Sequence, residues 1–372
     1  RALGGPHEVL AAIGNLFLPG YTAPKIAWLR SHEPDAYAAS RRFCLPHDYL
    51  NLWLTGAFVT EPGDASGTAY VDVRDRSYSR PVLDALDPQR DWDASLPPIV
   101  PSLSVIGELR ADVAAELRLR AGTPVSGGGG DNMCAAIGVG AVESGRVVVS
   151  LGTSGTIFAR SDTVAVDPRG EAAAFCDSTG GWLPLACTLN CTNATDWVRE
   201  LTGLDRDGFE AALRDTPAGA GGLTFLPYLD GERTPNLPTA AAAFHGMRTE
   251  HGPGHLARAV AEGVTLGLVY AREALERAGV GRGEVTLVGG GAASDAWGQL
   301  CADALGVAVH RAPDVEAAAL GAARQAAAVV DRVPLPGPAP TASTWEPRQL
   351  EGLAAAASRL AELRALAVDG AR

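Results

Sequence analysis

An α/β fold is what this 372-residue sequence predicts, and three observations lead there. Strand-type and helix-type patterns alternate through most of its second half. A glycine run ending in a carboxylate, Gly127-Gly128-Gly129-Gly130-Asp131-Asn132, stands where the short strand-like Pro124-Val125-Ser126 gives way to helical spacing. Finally, Val147 to Leu151 and Thr156 to Ala159 are apolar segments flanking a Gly152-Thr153-Ser154-Gly155 turn, the pattern of a buried β-hairpin.

Taken in order, the chain opens at Arg1, without a methionine, and is expected to be incomplete at its N-terminus. Residues 8–17 and 25–30 carry apolar residues at helical spacing, and Pro46 to Leu54 reads as a helix stopped at Gly56. Glu61 to Gly67 reads as a turn-rich loop before a strand at Ala69 to Val73. Helices are expected at Arg76 to Leu86 and Arg110 to Leu119, around an irregular stretch from Pro97 to Pro101. The pattern changes near residue 122. Asn132 to Val142 predicts a helix with Asp131 as its N-cap, because an aspartate oxygen can take a free amide of the first turn.

After the hairpin come strands at Trp182 to Leu185 and Leu223 to Leu229, with a helix at Thr195 to Thr202 between them. Leu256 to Ala278 predicts a long helix. Val285 to Val288 is a β-type run entering Gly289-Gly290-Gly291-Ala292-Ala293, followed by a helix at Asp295 to Leu305, a strand at Val307 to His310 and a helix at Val315 to Val329. Pro334, Pro336, Pro338 and Pro340 form a stiff link to a final Ala/Leu/Arg-rich helix. The expected division is therefore 1–122, 123–330 and a tail at 331–372, with no repeat of fixed period.

Composition narrows the function. With 47% hydrophobic and 20% charged residues the chain is an ordinary globular one, long enough for two cores. A formal net charge of −12 argues against a nucleic-acid or anionic-membrane partner, either of which favours a basic face. No apolar run reaches the roughly 18 residues of a membrane span, and no signal segment opens the chain, so a cytoplasmic location is expected. Six scattered cysteines read as buried free thiols. Cys187 and Cys191 lie four apart, but no second close Cys/His pair makes a zinc site of them. Lys25 is the sole lysine and reads as a surface residue.

The motifs carry the chemistry. A glycine turn can bring backbone N–H groups against an oxyanion, and Thr153 and Ser154 add hydroxyl donors. Asp131 is a carboxylate able to accept the proton of an attacking alcohol. The Gly289 triplet sits where a strand meets a helix, the geometry in which amides and the helix dipole face an anion. It is neither the dinucleotide fingerprint nor a Walker loop, since the G-x-G-x-x-G spacing and a following Gly-Lys-Ser/Thr are absent. Singly, each has a plain reading as an N-cap, a tight turn or a strand-to-helix turn. In the order carboxylate, hairpin, glycine triplet they point to a nucleotide-dependent kinase.

At these residues the sequence resembles the FGGY carbohydrate kinases. The likeness rests on Gly14 to Trp28 with its Pro19-Gly20-Tyr21-Thr22-Ala23-Pro24-Lys25 centre, Leu45-Pro46-His47-Asp48-Tyr49-Leu50, Asp64-Ala65-Ser66-Gly67-Thr68, Gly128 to Gly140, Ser150 to Gly155, Phe225 to Pro235 and Gly289 to Gly291. It runs from about residue 10 to residue 330. The resemblance implies an actin-like, ribonuclease-H-like pair of α/β lobes, the first of them incomplete here. It also implies ATP-dependent phosphorylation of a sugar, D-xylulose to D-xylulose 5-phosphate first, with ribulose, gluconate, glycerol and fuculose as alternatives.

By the same resemblance Asp131 is the general base and Asn132 helps hold the sugar. Gly152, Thr153, Ser154 and Gly155 cradle ATP phosphates, and Gly289, Gly290, Gly291 and Ala292 border the nucleotide. ATP and Mg2+ are the implied cofactors, with no metal ligand assigned to a side chain, and a homodimer is possible. Arg233, in Gly231-Glu232-Arg233-Thr234-Pro235, either lies near the site or braces its loop. The sequence departs from the family in lacking the first Asp-Leu-Gly-Thr hairpin and a Met-His pair. The chain as it stands is therefore expected to be inactive or poorly folded, and a non-catalytic sugar- or nucleotide-binding remnant is the reading from another class. An actin-like filament ATPase shares the lobe plan but not the Gly20 to Trp28 or Phe225 to Pro235 stretches.

Overall fold

A computed structural model describes residues 3–313, 316–338 and 341–370. The chain divides into two compact units that are not consecutive in sequence. One comprises Arg1–Ser144, Arg160–Pro184 and Val315–Ala339; the other comprises Gly145–Ala159, Leu185–Asp314 and Pro340–Arg372. The break expected near residue 122 falls inside the first unit. Its cause is visible at the Asp131–Gly138 helix, which packs on the Ala317–Asp331 helix some 180 residues later.

In the first unit, helices Pro6–Ile13, Thr22–His32, Pro34–Ala39, Pro46–Thr55 and Arg80–Leu86 surround a core that includes Ile13, Tyr37, Val71, Leu83 and Trp92. The Pro46–Thr55 helix follows its sequence signals. Proline fixes φ at its first turn, the Asp48 carboxylate accepts from the Leu45 N–H at 2.8 Å, and Gly56 ends it at φ 83°. The Glu61 to Gly67 stretch is more ordered than the loop expected there. Glu61 caps a short helix, Pro62–Ala65, by accepting from the Gly63 and Asp64 amides at 2.9 and 2.5 Å, and a 3-10 turn follows at Ser66–Thr68. The strand expected over Ala69 to Val73 shrinks to Val71–Asp72, paired with Ser77–Tyr78. Val105–Glu108 and Pro124–Ser126 form a second antiparallel pair that leads into the glycine run.

Contact between the Asp131–Gly138 and Ala317–Asp331 helices is backbone to backbone. A Cβ on Gly138 would lie 1.9 Å from the Ala317 carbonyl oxygen, and one on Gly321 would lie 1.7 Å from the Cys134 carbonyl oxygen. No side chain fits at either position, so two glycines set this approach. The start proposed for the later helix at Val315 lies outside the described residues; the helix begins at Ala317.

The second unit is built on the predicted hairpin. Val147–Leu151 pairs antiparallel with Gly155–Ala159, which pairs with the end of the Trp182–Thr188 strand. On the other side Val285–Val288 runs parallel to Val147–Leu151, Val309–Arg311 runs parallel to Val285–Val288, and Ser343–Trp345 closes the edge antiparallel. Val285–Val288 and Val309–Arg311 are joined through the Asp295–Leu305 helix, as a βαβ unit requires. The long Pro253–Arg277 helix packs against Thr224–Leu226 so closely that a Cβ on Gly263 would lie 2.3 Å from the Phe225 carbonyl oxygen. Thr192–Thr202, Arg206–Asp215 and a terminal helix, Glu351–Gly370, complete the unit. Of the prolines proposed as a link, Pro340 lies outside the described residues. Pro334 to Pro338 has no regular secondary structure, and Gly337 packs its backbone on Gly140. No described helix is long and apolar enough to cross a membrane.

Candidate active site

Asp131 is exposed at the first position of its helix, one residue past the expected cap; the N-cap is Gly130. A carboxylate there lies among the unpaired amides at the positive end of the helix. One carboxylate oxygen accepts from the Asn132 N–H at 2.8 Å and from the Asn132 side-chain amide at 2.9 Å. The Asn132 side chain thus turns toward Asp131 and fixes its rotamer.

The loop that presents Asp131 is pinned at each carbonyl. Asn51 donates to Gly127 at 3.1 Å, Gln325 to Gly128 at 2.7 Å, the Cys134 thiol to Gly129 at 3.5 Å and the Cys134 N–H to Gly130 at 2.9 Å. Glycine is required by the close approach. Gly128 has φ 77°, and a Cβ there would lie 2.4 Å from His47 Nε2; a Cβ on Gly129 would lie 2.3 Å from Ser178 Oγ. Burial, with Glu61, Asp131 and Asp64 adding to it, pushes the Cys134 thiol up to about 11, so it stays protonated and able to donate.

Sequence reasoning gave no role to the groups beneath this loop, although His47, Asp48 and Asp64 lie in stretches that carry the resemblance. Glu61 is fully buried, and its carboxylate accepts from the Gly63 and Asp64 amides and from the hydroxyls of Ser102 at 2.5 Å and Ser178 at 3.3 Å. Burial raises its pKa against those donors. Ser102 backs onto Gly127 and Ser178 onto Gly129, so Glu61 reaches the loop through both serines. Asp64 lies beside Gly130, and burial, opposed by His47 and reinforced by Asp48 and Asp131, raises its pKa. His47 Nδ1 lies 3.5 Å from Asp48 and 3.7 Å from Asp64. Burial alone would lower the His47 pKa; Asp48, Glu61 and Asp64 outweigh it and the net direction is up. The available signal was local: two carboxylates in Glu61-Pro62-Gly63-Asp64 and one in His47-Asp48, each at a helix start.

The other set of predicted residues gathers in the second unit. Val288 pairs with Ser150 in the parallel ladder, so the Gly152–Gly155 turn and the Gly289–Ala292 segment leave the carboxyl ends of adjacent strands. In open α/β sheets ligands bind at such ends. Gly289 has φ 86° and ψ 170°, and its α-carbon stands over the Leu151 backbone, where a Cβ would lie 2.8 Å from the carbonyl oxygen. A 3-10 turn then spans Gly290–Ala293, and Ser294 caps the Asp295–Leu305 helix by accepting from Trp297 N–H at 3.0 Å.

The hairpin turn is held from behind. The Gly152 carbonyl accepts from Thr192 N–H at 2.9 Å and the Thr153 carbonyl from Cys191 N–H at 3.2 Å. Among the described residues no backbone acceptor takes the N–H of Thr153 or Ser154, which leaves donors of the kind an oxyanion needs. The Leu189–Thr192 segment that anchors the turn is itself tied to Glu232. Its buried carboxylate accepts from the amides of Leu189 and Arg233, each at 2.7 Å, and from Asn190 Nδ2 at 3.4 Å. Asp131 and Asn132 belong to one unit, Gly152–Gly155 and Gly289–Ala292 to the other.

Residues 1–138 match the N-terminal domain, and residues 147–330 the C-terminal domain, of the FGGY family of carbohydrate kinases. The chain belongs to that family. A xylulose kinase of Streptomyces rubiginosus is 41% identical over 92% of this chain and 68% of its own length, and one of Haemophilus influenzae is 39% identical over 87% and 66%. The chain thus spans about two thirds of the length of these curated relatives. A crystal structure of a xyloylose kinase from Brucella ovis superposes with a TM-score of 0.90 at 35% identity, covering 96% of this chain and 75% of that one. The two-unit α/β architecture is therefore that of an FGGY sugar kinase, as the sequence predicted. Sugar kinases of this family use ATP.

Proposed function

We propose that the protein carrying this chain phosphorylates D-xylulose with ATP, giving D-xylulose 5-phosphate and ADP. The reading is carried by Asp131, an exposed carboxylate held by Asn132 on a loop pinned at four successive carbonyls. The choice of sugar rests on the names of the relatives at 39–41% identity.

In this mechanism Asp131 accepts the proton of the sugar's terminal hydroxyl as that oxygen attacks the γ-phosphorus. The bond to the β-phosphate oxygen breaks, and ADP leaves. Asn132 keeps the acceptor oxygen of Asp131 oriented, the Gly152–Ser154 turn receives ATP phosphates, and Gly289–Ala292 borders the nucleotide. Among the described residues no group of three or more His, Cys, Asp or Glu side chains could by itself hold a metal ion. Mg2+ fits as an ion that rides on the nucleotide phosphates with few protein ligands, where it would neutralise negative charge.

Two measurements test the reading on the protein that carries this chain. ADP release is compared with D-xylulose, D-ribulose, D-gluconate, glycerol and fuculose; a clear preference for glycerol or fuculose would reject the sugar assignment. Asp131→Asn should lower kcat by about 10²–10⁴ while ATP binding persists. ATP binding without turnover in the wild type would instead favour a binding protein.

A further inference from the structure

The Gly231–Pro235 loop contains an arginine that the mechanism above leaves without a task. Arg233 follows Glu232, and the Glu232 carboxylate accepts from its N–H at 2.7 Å. The same carboxylate oxygen accepts from Leu189 N–H at 2.7 Å, three residues before Thr192, whose N–H holds the Gly152 carbonyl. Two steps of hydrogen bonding therefore connect the backbone of Arg233 to the turn read as the phosphate cradle.

The loop itself is stiff. Glu232 and Leu237 exchange backbone bonds at 2.9 and 2.8 Å, and Asn190 Nδ2 donates to the Gly231 carbonyl at 2.9 Å. Gly231 has φ 83° and its α-carbon abuts Pro238, where a Cβ would lie 2.5 Å from the carbonyl oxygen.

The side chain points the same way. Cys187 pairs with Thr156 in the ladder next to the hairpin turn; burial raises its thiol pKa, while the Arg233 charge and the Ser154 side chain act against that rise. The Arg233 guanidinium and a side chain of the turn thus act on the same thiol. Among the described residues no ion pair with a carboxylate engages Arg233, although Arg199 and Arg214 of the same unit both have acidic partners. A half-buried guanidinium with no anion, on a rigid loop beside a turn with free amides, is a site for an anion with several oxygens. Arginine is suited to this because its planar fork binds two phosphate oxygens at once.

We propose that Arg233 binds the terminal phosphates of the nucleotide, with Glu232 as the positioning residue that fixes its backbone. The inference rests on reading Gly152–Ser154 as the phosphate cradle. It adds a protein cation in a chain with a single lysine and no Walker loop.

The test is calorimetric binding of ADP and of adenosine to the 372-residue chain and to Arg233→Met and Arg233→Lys. A charge-assisted contact predicts that Arg233→Met binds ADP about tenfold or more weakly and adenosine as the wild type does. Arg233→Lys should fall between the two, because lysine keeps the charge but not the fork. Unchanged adenosine binding also reports that the variant is folded. Equal ADP binding by Arg233→Met and wild type overturns the proposal. So does a parallel loss of ADP and adenosine, which would make Arg233 a brace for its loop. A wild-type chain that binds neither would remove the nucleotide reading of this unit, and the assignment of Arg233 with it.

Discussion

The Gln325 side-chain amide donates to the Gly128 carbonyl at 2.7 Å, joining residues 197 positions apart within one unit. Gln325 is fully buried, and its side-chain oxygen accepts from the Ser126 hydroxyl at 3.3 Å. It therefore holds both the strand before the glycine run and the run itself. A side chain with one donor end and one acceptor end is needed, since a carboxylate could not donate to Gly128.

Gln325→Leu is close in size but removes both bonds and leaves a part-buried carbonyl unpaired. Buried groups orphaned in this way cost about 1–3 kcal/mol each. We expect the urea midpoint to fall accordingly. Because the loop also presents Asp131, kcat of the kinase should fall further than the stability change explains, with the KM for ATP unchanged. A variant with wild-type kcat and midpoint would show that the bond positions nothing.

A pH dependence follows from His47. Its imidazole packs on Gly128 and lies 3.5 and 3.7 Å from carboxylate oxygens of Asp48 and Asp64, with Asn51 Nδ2 3.3 Å from Nε2. The folded pKa is raised, so folding favours the charged ring. That contribution is present in full below the unfolded value of about 6.5 and fades as pH rises through the higher folded value. His47→Asn cannot titrate. The stability difference between wild type and His47→Asn, read from urea midpoints, should therefore shrink from pH 6 to pH 8. A difference that stays constant or widens with pH means that His47 is not held charged by Asp48 and Asp64.

What the sequence made legible was local, and what it hid was long-range. The Val147–Leu151 and Gly155–Ala159 hairpin could be read because apolar strands and a glycine turn lie within thirteen residues. The start of the Asp131 helix was found to within one residue, for the same reason, although the helix ends at Gly138 and not at Val142. Nothing near Gly128 announces Gln325, and nothing near Glu61 announces Ser102 and Ser178, because these partners meet only through folding. Glu61 was hidden in a second way: the proline and glycines around it read as a loop, whereas its side chain supplies the hydrogen bonds that make a short helix there. The partition into units was illegible too, since it depends on Gly138 and Gly321 admitting a helix from the far end of the chain. The helix Arg206–Asp215 and the strand Ala173–Cys176 were missed outright. The strand has only four residues, and the helix is short and carries more charged side chains than apolar ones.

Gly289 offers the sharpest test of the nucleotide side. At φ 86° and ψ 170° it occupies backbone space that is almost closed to other residues. Even a chain that tolerated that strain would drive a Cβ to within 2.8 Å of the Leu151 carbonyl oxygen and 3.1 Å of its nitrogen. The Gly289 segment and the end of Val147–Leu151 must then separate, and these are the two strand ends that carry the proposed adenosine border and phosphate turn. Gly289→Ala should therefore weaken ADP binding by tenfold or more, about 1.4 kcal/mol. Gly290, whose added Cβ would meet nothing within 4 Å, is the control. Gly290→Ala should bind ADP as the wild type does if only the spacing of the strands matters, whereas a loss at Gly290 equal to that at Gly289 would mean the nucleotide itself packs on the Gly290 α-carbon. ADP binding unaffected by Gly289→Ala would place the nucleotide away from this pair of strand ends.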